Sequence, residues 1–412
     1  MAKINIISGL QLSDNPRVVK EADALTEAGH QVEIFSSLEK PQETGLERAF
    51  SKGKNWTRTP VLDNSIQSTW QKLRWICVRL RCRTWKEIYA ASGWGNVRQL
   101  GYVAPEMLSL CRRSKADLNI VHNEQALWVG NQLLDDGQRV AVDLEDWYSE
   151  DLLPEDLGSR PGYLLRRWEQ RLLRDASYTS TTSHAMGSAL SKAYNCPLPK
   201  VVYNTFSKYE RNSLDGKNID REDHKTPSIV WFSQTAGPGR GLETLVDSLS
   251  EVKTPIQIHI RGRCRPGYEA SLRSRISRNS KHHIFFHPCV PHHQLLSRLA
   301  EHDIGFAGEL SQCRSRDLTI TNKLFQYLLA GLVILASNTA GQKEISDAHP
   351  NLLHAFEGDS PTSLASILNK ILADQSQIQT DKEEAIKLAE TKYCWEESKN
   401  MLLATVSEAL NQ

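Results

Sequence analysis

Residues 321–337 read TNKLFQYLLAGLVILAS, and this stretch decides the fold. At about 100° per residue, Leu324, Phe325, Leu328 and Leu329 line one helical face, while Asn322, Lys323 and Gln326 gather on the opposite one. Gly331 stops the helix, and the unbroken apolar run LVILAS follows as a strand that needs cover on both faces. A helix packed on a sheet and joined by a glycine to a buried strand is the unit of an α/β protein. The polar face of that helix has two readings, a solvated surface or the wall of a site.

The unit recurs along the chain. INIISG, a helix over about 16–28 and QVEIFSS come first; LNIVH, a helix from about residue 125, RVAVDL, GYLLRRWEQRLLRDA, YTSTTS and KVVYN follow. The charged stretch 206–226, FSKYERNSLDGKNIDREDHKT, interrupts the alternation and reads as a linker. Strands SIVWFS, IQIHI, HIFFH, DIGFAG and LVILAS then resume it. The expectation is two tandem doubly wound, Rossmann-like domains, residues 1–205 and 227–394, with facing strand ends defining a cleft. Residues 395–412 form an amphipathic helix that either packs locally or crosses back to the first domain.

The totals narrow the function classes. A chain of 412 residues suits two domains rather than one core. Charged residues make up 24 % and nearly cancel to +1, which argues against nucleic-acid binding by bulk charge. The eight cysteines are scattered without metal-finger spacing and read as reduced thiols. MAKINIISGL opens on a strand rather than a signal peptide, and no apolar run approaches the ~20 residues of a membrane span. A cytoplasmic protein, soluble or at most peripheral at the inner membrane face, is expected.

Chemistry-bearing residues collect where strands end. After SIVWFS, the turn QTAGPGRG leads into a helix; Gly237 and Gly239 free backbone N–H groups for a phosphate, and Arg240 can fork two hydrogen bonds to it. The spacing fits neither the P-loop nor G-x-G-x-x-G, so a nucleoside triphosphatase or a dehydrogenase is not supported. Arg261 and Arg263 of IRGRCR end a strand, with a solvated charge as the plain alternative. Glu309 follows DIGFAG, as a site acid or a loop carboxylate. In the first domain Gly9 permits close backbone approach, Asn15 can cap a helix with Pro16 in its first turn, and Arg17 lies one turn in. His122, Asp143 and Glu145 end two further strands, where they can orient a sugar or accept a proton, or bond to neighbouring loops. His287 and His292, without acidic or cysteine partners at ligand spacing, read as surface histidines and not a metal site.

Residues 70–86, WQKLRWICVRLRCRTWK, contain no acid. As a helix they place Lys72, Arg79, Arg83 and Lys86 on one face beside a stripe of Leu73, Ile76 and Leu80. Such a face suits an anionic leaflet or a lipid-diphosphate acceptor. A second stripe, Trp75, Val78, Cys82 and Trp85, leaves burial on two sides as the alternative.

The order GPGRGLETLVDSL, DIGFAG, TNKLFQYLLAGLVILASNTAGQKEI resembles the nucleotide-sugar half of a family 4 glycosyltransferase of the GT-B fold. NPRVVKEADALTEAGHQVEIFS, NIVHNEQALWVG and VAVDLEDWYSEDL resemble its acceptor half, and only residues 38–115 or so fall outside the likeness. The resemblance implies that the polar face of 321–330 meets a sugar nucleotide. Gln326 would take the ribose in place of the usual carboxylate, and Asn322 and Lys323 the diphosphate or sugar. Arg240, Arg261, Arg263, Arg17, Gly9, Gly237 and Gly239 would complete the donor site, and Glu145, His122, Asp143 and Glu309 the catalytic set. Leu318 and Thr235 stand where a glutamate and a basic residue are usual, and Glu145 where a histidine is. With no D-x-D present, cations would replace a metal; the donor is a co-substrate and no cofactor is required. The implied reaction is sugar transfer, with retention, to a glycan or lipid-linked hydroxyl. A nucleotide-sugar epimerase and a non-catalytic sugar-nucleotide or glycan-binding protein are the alternatives.

Overall fold

A computed structural model describes the whole chain except residues 41–43, 66–67, 154–155, 157 and 412. The chain divides into two compact units. The first takes Met1–Val202, Cys313–Ser315 and the chain from Lys399 onward; the second takes Tyr203–Gln312 and Arg316–Ser398.

The first unit opens with β1 (Lys3–Ser8), α1 (Pro16–Glu27), β2 (Gln31–Leu38), α2 (Thr44–Ser51), β3 (Thr57–Asp63) and α3 (Thr69–Ser92). It continues through α4 (Ala104–Ser114), β4 (Leu118–His122), α5 (Asn123–Asp135), β5 (Val140–Leu144), α6 (Gly162–Asp175), β6 (Tyr178–Thr181), α7 (His184–Tyr194) and β7 (Lys200–Val201). Its sheet is parallel in the order β3-β2-β1-β4-β5-β6-β7. Every residue of β4 and β5 is buried, as continuous apolar runs covered on both faces must be.

The second unit contains β8 (Ser228–Ala236), α8 (Leu242–Ser248), β9 (Gln257–Cys264), α9 (Tyr268–Ser274), β10 (His283–His287), α10 (His292–Ala300) and β11 (Ile304–Ala307). After α11 (Arg314–Leu318) come α12 (Asn322–Ala330), β12 (Val333–Ser337), α13 (Ala340–Ala348), β13 (Leu353–Phe356), α14 (Pro361–Leu372), α15 (Gln375–Thr391) and α16 (Trp395–Asn411). The strands are parallel in the order β10-β9-β8-β11-β12-β13. Leu324, Phe325, Leu328 and Leu329 of α12 are buried in the layer between this sheet and α15, and Gly331 closes the helix at φ 75°.

Both sheets follow the doubly wound order, so each has one switch point, beside β1 and β4 in the first and beside β8 and β11 in the second. Connections leave in opposite directions there, and the carboxyl strand ends make a crevice suited to a ligand.

The stretch 206–226, read as a linker, belongs to the second unit, which begins at Tyr203. Several of its charged groups are paired within the unit. Arg298 holds Asp215 at 2.7 Å, Glu301 accepts the Ile219 and Asp220 N–H groups, and buried Arg221 donates to the Glu301, His224 and Thr226 carbonyls and pairs with Asp303. Helix α16 is shared in the division: Trp395 N–H donates to the Phe206 carbonyl, whereas Lys399 pairs with Glu27.

Candidate functional site

In the first unit, the ends of β4 and β5 and the start of α1 build one buried charge cluster. Arg17 grips Asp143 through Nε and Nη2 at 2.5 and 3.0 Å, and its Nη1 donates to the Val202 carbonyl. Ser180 Oγ donates to the same carboxylate at 2.8 Å. His122 lies 2.6 Å from Glu21 through Nε2 and 3.3 Å from Glu145 through Nδ1. Burial opposes an imidazolium, but Glu21, Glu145 and Asp143 outweigh it and raise the His122 pKa to about 10.

Three expectations change here. Arg17 is enclosed and fully engaged, so it is not free to hold a phosphate. Asp143 neutralises it instead of facing a substrate, with its carboxyl held below the usual range against the effect of burial. His122, buried and protonated, cannot accept a proton near neutral pH; it orients Glu145. Glu145 alone of the trio reaches the surface, at 20 % side-chain exposure, steadied also by Asn15 Nδ2 at 2.9 Å. Asn15 caps α1 as well, accepting from Val18 N–H. The donor atoms of His122, Asp143 and Glu145 lie within 4.8 Å of one another. A metal there would have to displace the imidazole proton and compete with Arg17, so the set fits a cation poorly.

Gly9 follows β1, and its N–H donates to Asn123 Oδ1 at 3.0 Å; an added Cβ would stand 2.8 Å from Gln125 Nε2. The glycine is required by this close approach of its own neighbours.

In the second unit, the turn after β8 meets the turn after β11. Gly239 and Gly241 adopt φ 78° and 72°, and a Cβ on Gly241 would lie 2.2 Å from the Gly308 carbonyl oxygen. Gly237 is packed against Arg265. Helix α8 starts at Gly241 without a side-chain cap but has only seven residues, so its dipole contributes little and the cations carry more of the charge. Glu309 accepts from Lys323 Nζ at 2.6 Å and from Thr321 Oγ1 at 3.2 Å. Burial alone would push the Glu309 carboxyl up; Lys323, Thr321 and the nearby Arg240 hold it below its ordinary value. Arg240 and Asn322 are exposed.

A cavity of about 670 Å³ opens at the carboxyl ends of β11, β12 and β13, with Glu309, Asn338, Thr339, Glu357 and Asp359 in its wall. A smaller one, about 350 Å³, lies between α5, α6 and residues 95–98, and no strand-end group lines it.

The comparisons with known proteins agree with this geometry. Residues 15–205 match the family model described as glycosyl transferase 4-like domain. Among solved structures, Anabaena HepE in complex with UDP and glucose superposes with TM-score 0.67 at 15 % identity, over 99 % of this chain and 100 % of that one. Sucrose-phosphate synthase from Thermosynechococcus elongatus gives 0.68 at 14 % over all of both chains. Residues 15–205 are thus similar to a glycosyl transferase 4-like domain, and the whole chain shares the two-domain GT-B fold of these structures. A putative UDP-N-acetylglucosamine 2-epimerase from Listeria monocytogenes also matches, at 0.57 and 11 %, over 100 % and 97 %. At these identities the likeness is one of fold. A comparison with curated protein sequences gave no match.

Other residues of the chain depart from expectation. Arg261 is buried, donates to the Pro288 carbonyl at 2.5 Å and pairs with Asp220, so it fastens the 206–226 stretch and is not open to a phosphate. Arg263, two residues on and past the register shift between Phe232 and Thr235 of the paired strand β8, is exposed. Gln326 is 3 % exposed, and its Nε2 has no hydrogen-bond partner among the described residues. Leu318 is buried, consistent with an apolar side chain there. His287 is no surface residue: it lies 3.0 Å from His259 and 3.4 Å from Asp220, whereas His292 is exposed at the start of α10.

Sequence reading missed Glu124. It sits in the first turn of α5, just after His122, paired with Arg160, and burial raises its pKa to about 7. The signal was its position after a strand end.

Proposed function

We propose that this chain transfers a sugar from a nucleoside-diphosphate sugar to an acceptor hydroxyl. The observation that carries the reading is the Lys323–Glu309 pair with Arg240 beside it, at the carboxyl end of β11 and the switch point of the second sheet. A departing diphosphate gains negative charge, and preorganised cations at the breaking bond are what lower that barrier. Lys323 spends one of its three N–H donors on Glu309 and keeps the others for phosphate oxygens. The carboxylates of the neighbouring cavity repel a phosphate but accept hydroxyl hydrogens, so they suit the ribose or the transferred sugar.

In this reading the second unit binds the donor and the first binds the acceptor, with Glu145 orienting the sugar or the incoming hydroxyl. The anomeric carbon–oxygen bond to the diphosphate breaks, and a bond to the acceptor oxygen forms on the same face. The acceptor proton passes to the leaving diphosphate, so the anomeric configuration is retained without a protein nucleophile. Arg240, Lys323 and exposed Arg263 supply the positive charge, and the reaction needs no metal. A glycan or lipid-linked glycan as acceptor, in polysaccharide biosynthesis on the cytoplasmic side of a membrane, fits this chemistry.

Incubation with a panel of uridine, guanosine and adenosine diphosphate sugars tests the reading, with released nucleoside diphosphate as the signal. Turnover that persists in chelator and disappears in Lys323→Ala and Arg240→Ala supports it. Conversion of the donor's sugar without acceptor identifies an epimerase, and nucleotide binding without any turnover identifies a binding protein.

A further inference from the structure

Helix α3 runs for 24 residues, roughly 36 Å, and has three distinct faces. Its inner face is spent on the first unit. Val78 and Cys82 are buried, the Cys82 thiol points at the Gln99 carbonyl, the Trp75 ring meets Tyr102 at 5.2 Å, and Arg81 pairs with Glu106 at 2.8 Å. Burial on two sides therefore does not occur. The stripe made by Trp70, Leu73, Ile76 and Leu80 is 73, 51, 51 and 58 % exposed, the densest run of exposed large apolar side chains among the described residues. Along one flank of that stripe run Lys72, Arg79, Arg83 and Lys86, all exposed. No acid occurs between Asp63 and Glu87.

From this arrangement we infer that α3 is a docking surface for an anionic lipid bilayer, lying flat with Leu73, Ile76 and Leu80 in the acyl boundary and Trp70 at its amino-terminal end. An apolar stripe bordered by cations is what an interfacial helix presents, because the stems of Lys and Arg lie along the apolar surface while their charges meet headgroup phosphates. The cations select lipid over a second copy of the chain. A two-fold self-contact would bring the rows of Lys72, Arg79, Arg83 and Lys86 together with only Glu87, the one acid in α3, to set against them. The inference stands on α3 alone and does not depend on the transferase reading.

Vesicle co-sedimentation of the full chain tests it. Vesicles of phosphatidylcholine with about 30 % phosphatidylglycerol should bind the protein at least tenfold more strongly than pure phosphatidylcholine, and the preference should fall in high salt as screening sets in. The double variants Ile76→Ser/Leu80→Ser and Arg79→Glu/Arg83→Glu should each lose tenfold or more. Since these side chains are exposed, the circular dichroism spectrum, the melting temperature and the nucleotide-induced shift in melting should stay at wild-type values. Folded protein that ignores anionic vesicles, or variants that bind them as well as wild type, would overturn the assignment. So would a dimer in sedimentation velocity that the Ile76→Ser/Leu80→Ser variant splits, because the stripe would then be a self-interface.

Discussion

Lys323 and Glu309 form a pair at 2.6 Å in which both partners are largely enclosed, with side-chain exposures of 12 and 21 %. Arg240 acts on the same carboxylate from an exposed position. The two cations therefore differ in what they hold. Lys323→Ala leaves an enclosed carboxylate without its nearest counter-charge, so it should lower donor turnover about 10²-fold and also lower the melting temperature. Arg240→Ala should lower turnover by a similar factor and leave the melting temperature where it was. Nucleoside diphosphate release and thermal melts on both variants make the comparison. Full turnover in either variant would remove that residue from the donor site.

Gln326 offers a second contrast. An amide buried without a partner costs about 1–3 kcal/mol, so Gln326→Leu, which removes the orphaned Nε2, should stabilise the chain by about 1 kcal/mol in urea melts. If the amide is the ribose partner, the same change should weaken nucleoside diphosphate binding about tenfold by titration calorimetry. Greater stability with unaltered affinity would assign the glutamine to packing alone.

The His122 imidazolium links the first unit's stability to pH. Its folded pKa, about 10, lies above the ordinary 6.5, so the stabilisation is complete below pH 6.5 and drains away as the pH rises toward 10. Urea midpoints of the wild-type protein should fall between pH 7 and pH 9.5. His122→Gln should show a flatter profile in that window and be less stable at pH 7 by about 3–5 kcal/mol, because Glu21 and Glu145 lose the charge between them. Parallel profiles would mean the imidazole is neutral.

Much of the fold was readable because it is written in local patterns. Buried strands such as VAVDL and LVILAS are continuous apolar runs, and helices such as 322–330 segregate their faces, so both sheets follow from alternation. Charge pairing was not readable, because it depends on which residues the topology brings together. Arg17 and Asp143 are 126 positions apart yet share a bidentate contact, and Arg261 meets Asp220 across 41 positions. Arg17, one turn into a helix, and Arg261, at a strand end, each looked like a free cation until its partner was known. The polarity of 206–226 suggested a linker for the same reason: Arg221, Asp215 and Asp220 are polar because they are paired. Among the candidate site groups, Glu145, Glu309, Lys323 and Arg240 keep surface access; Arg17, His122, Asp143 and Arg261 do not.

The histidines of the second unit give an acid limb to the stability profile. His259 stacks on His287 with ring centroids 5.2 Å apart and meets His302 at 4.4 Å, and the Nε2 of His302 has no partner among the described residues. Burial lowers the pKa of all three, His259 to about 3; Arg261 adds to the effect at each, neighbouring imidazoles and Arg221 add to it at His259 and His302, and Asp220 opposes it at His259 and His287. Unfolded histidines take up protons below about pH 6.5 while these stay neutral, so stability is full above that pH and declines as the pH falls toward 3. Carboxylates contribute to acid unfolding too, hence the useful quantity is a difference in slope. His302→Phe keeps the ring packing, removes the unpartnered nitrogen and binds no proton in either state. It should therefore lose less stability than wild type between pH 7 and pH 4, measured as urea midpoints at each pH. Identical slopes would show that the cluster is already protonated in the folded chain.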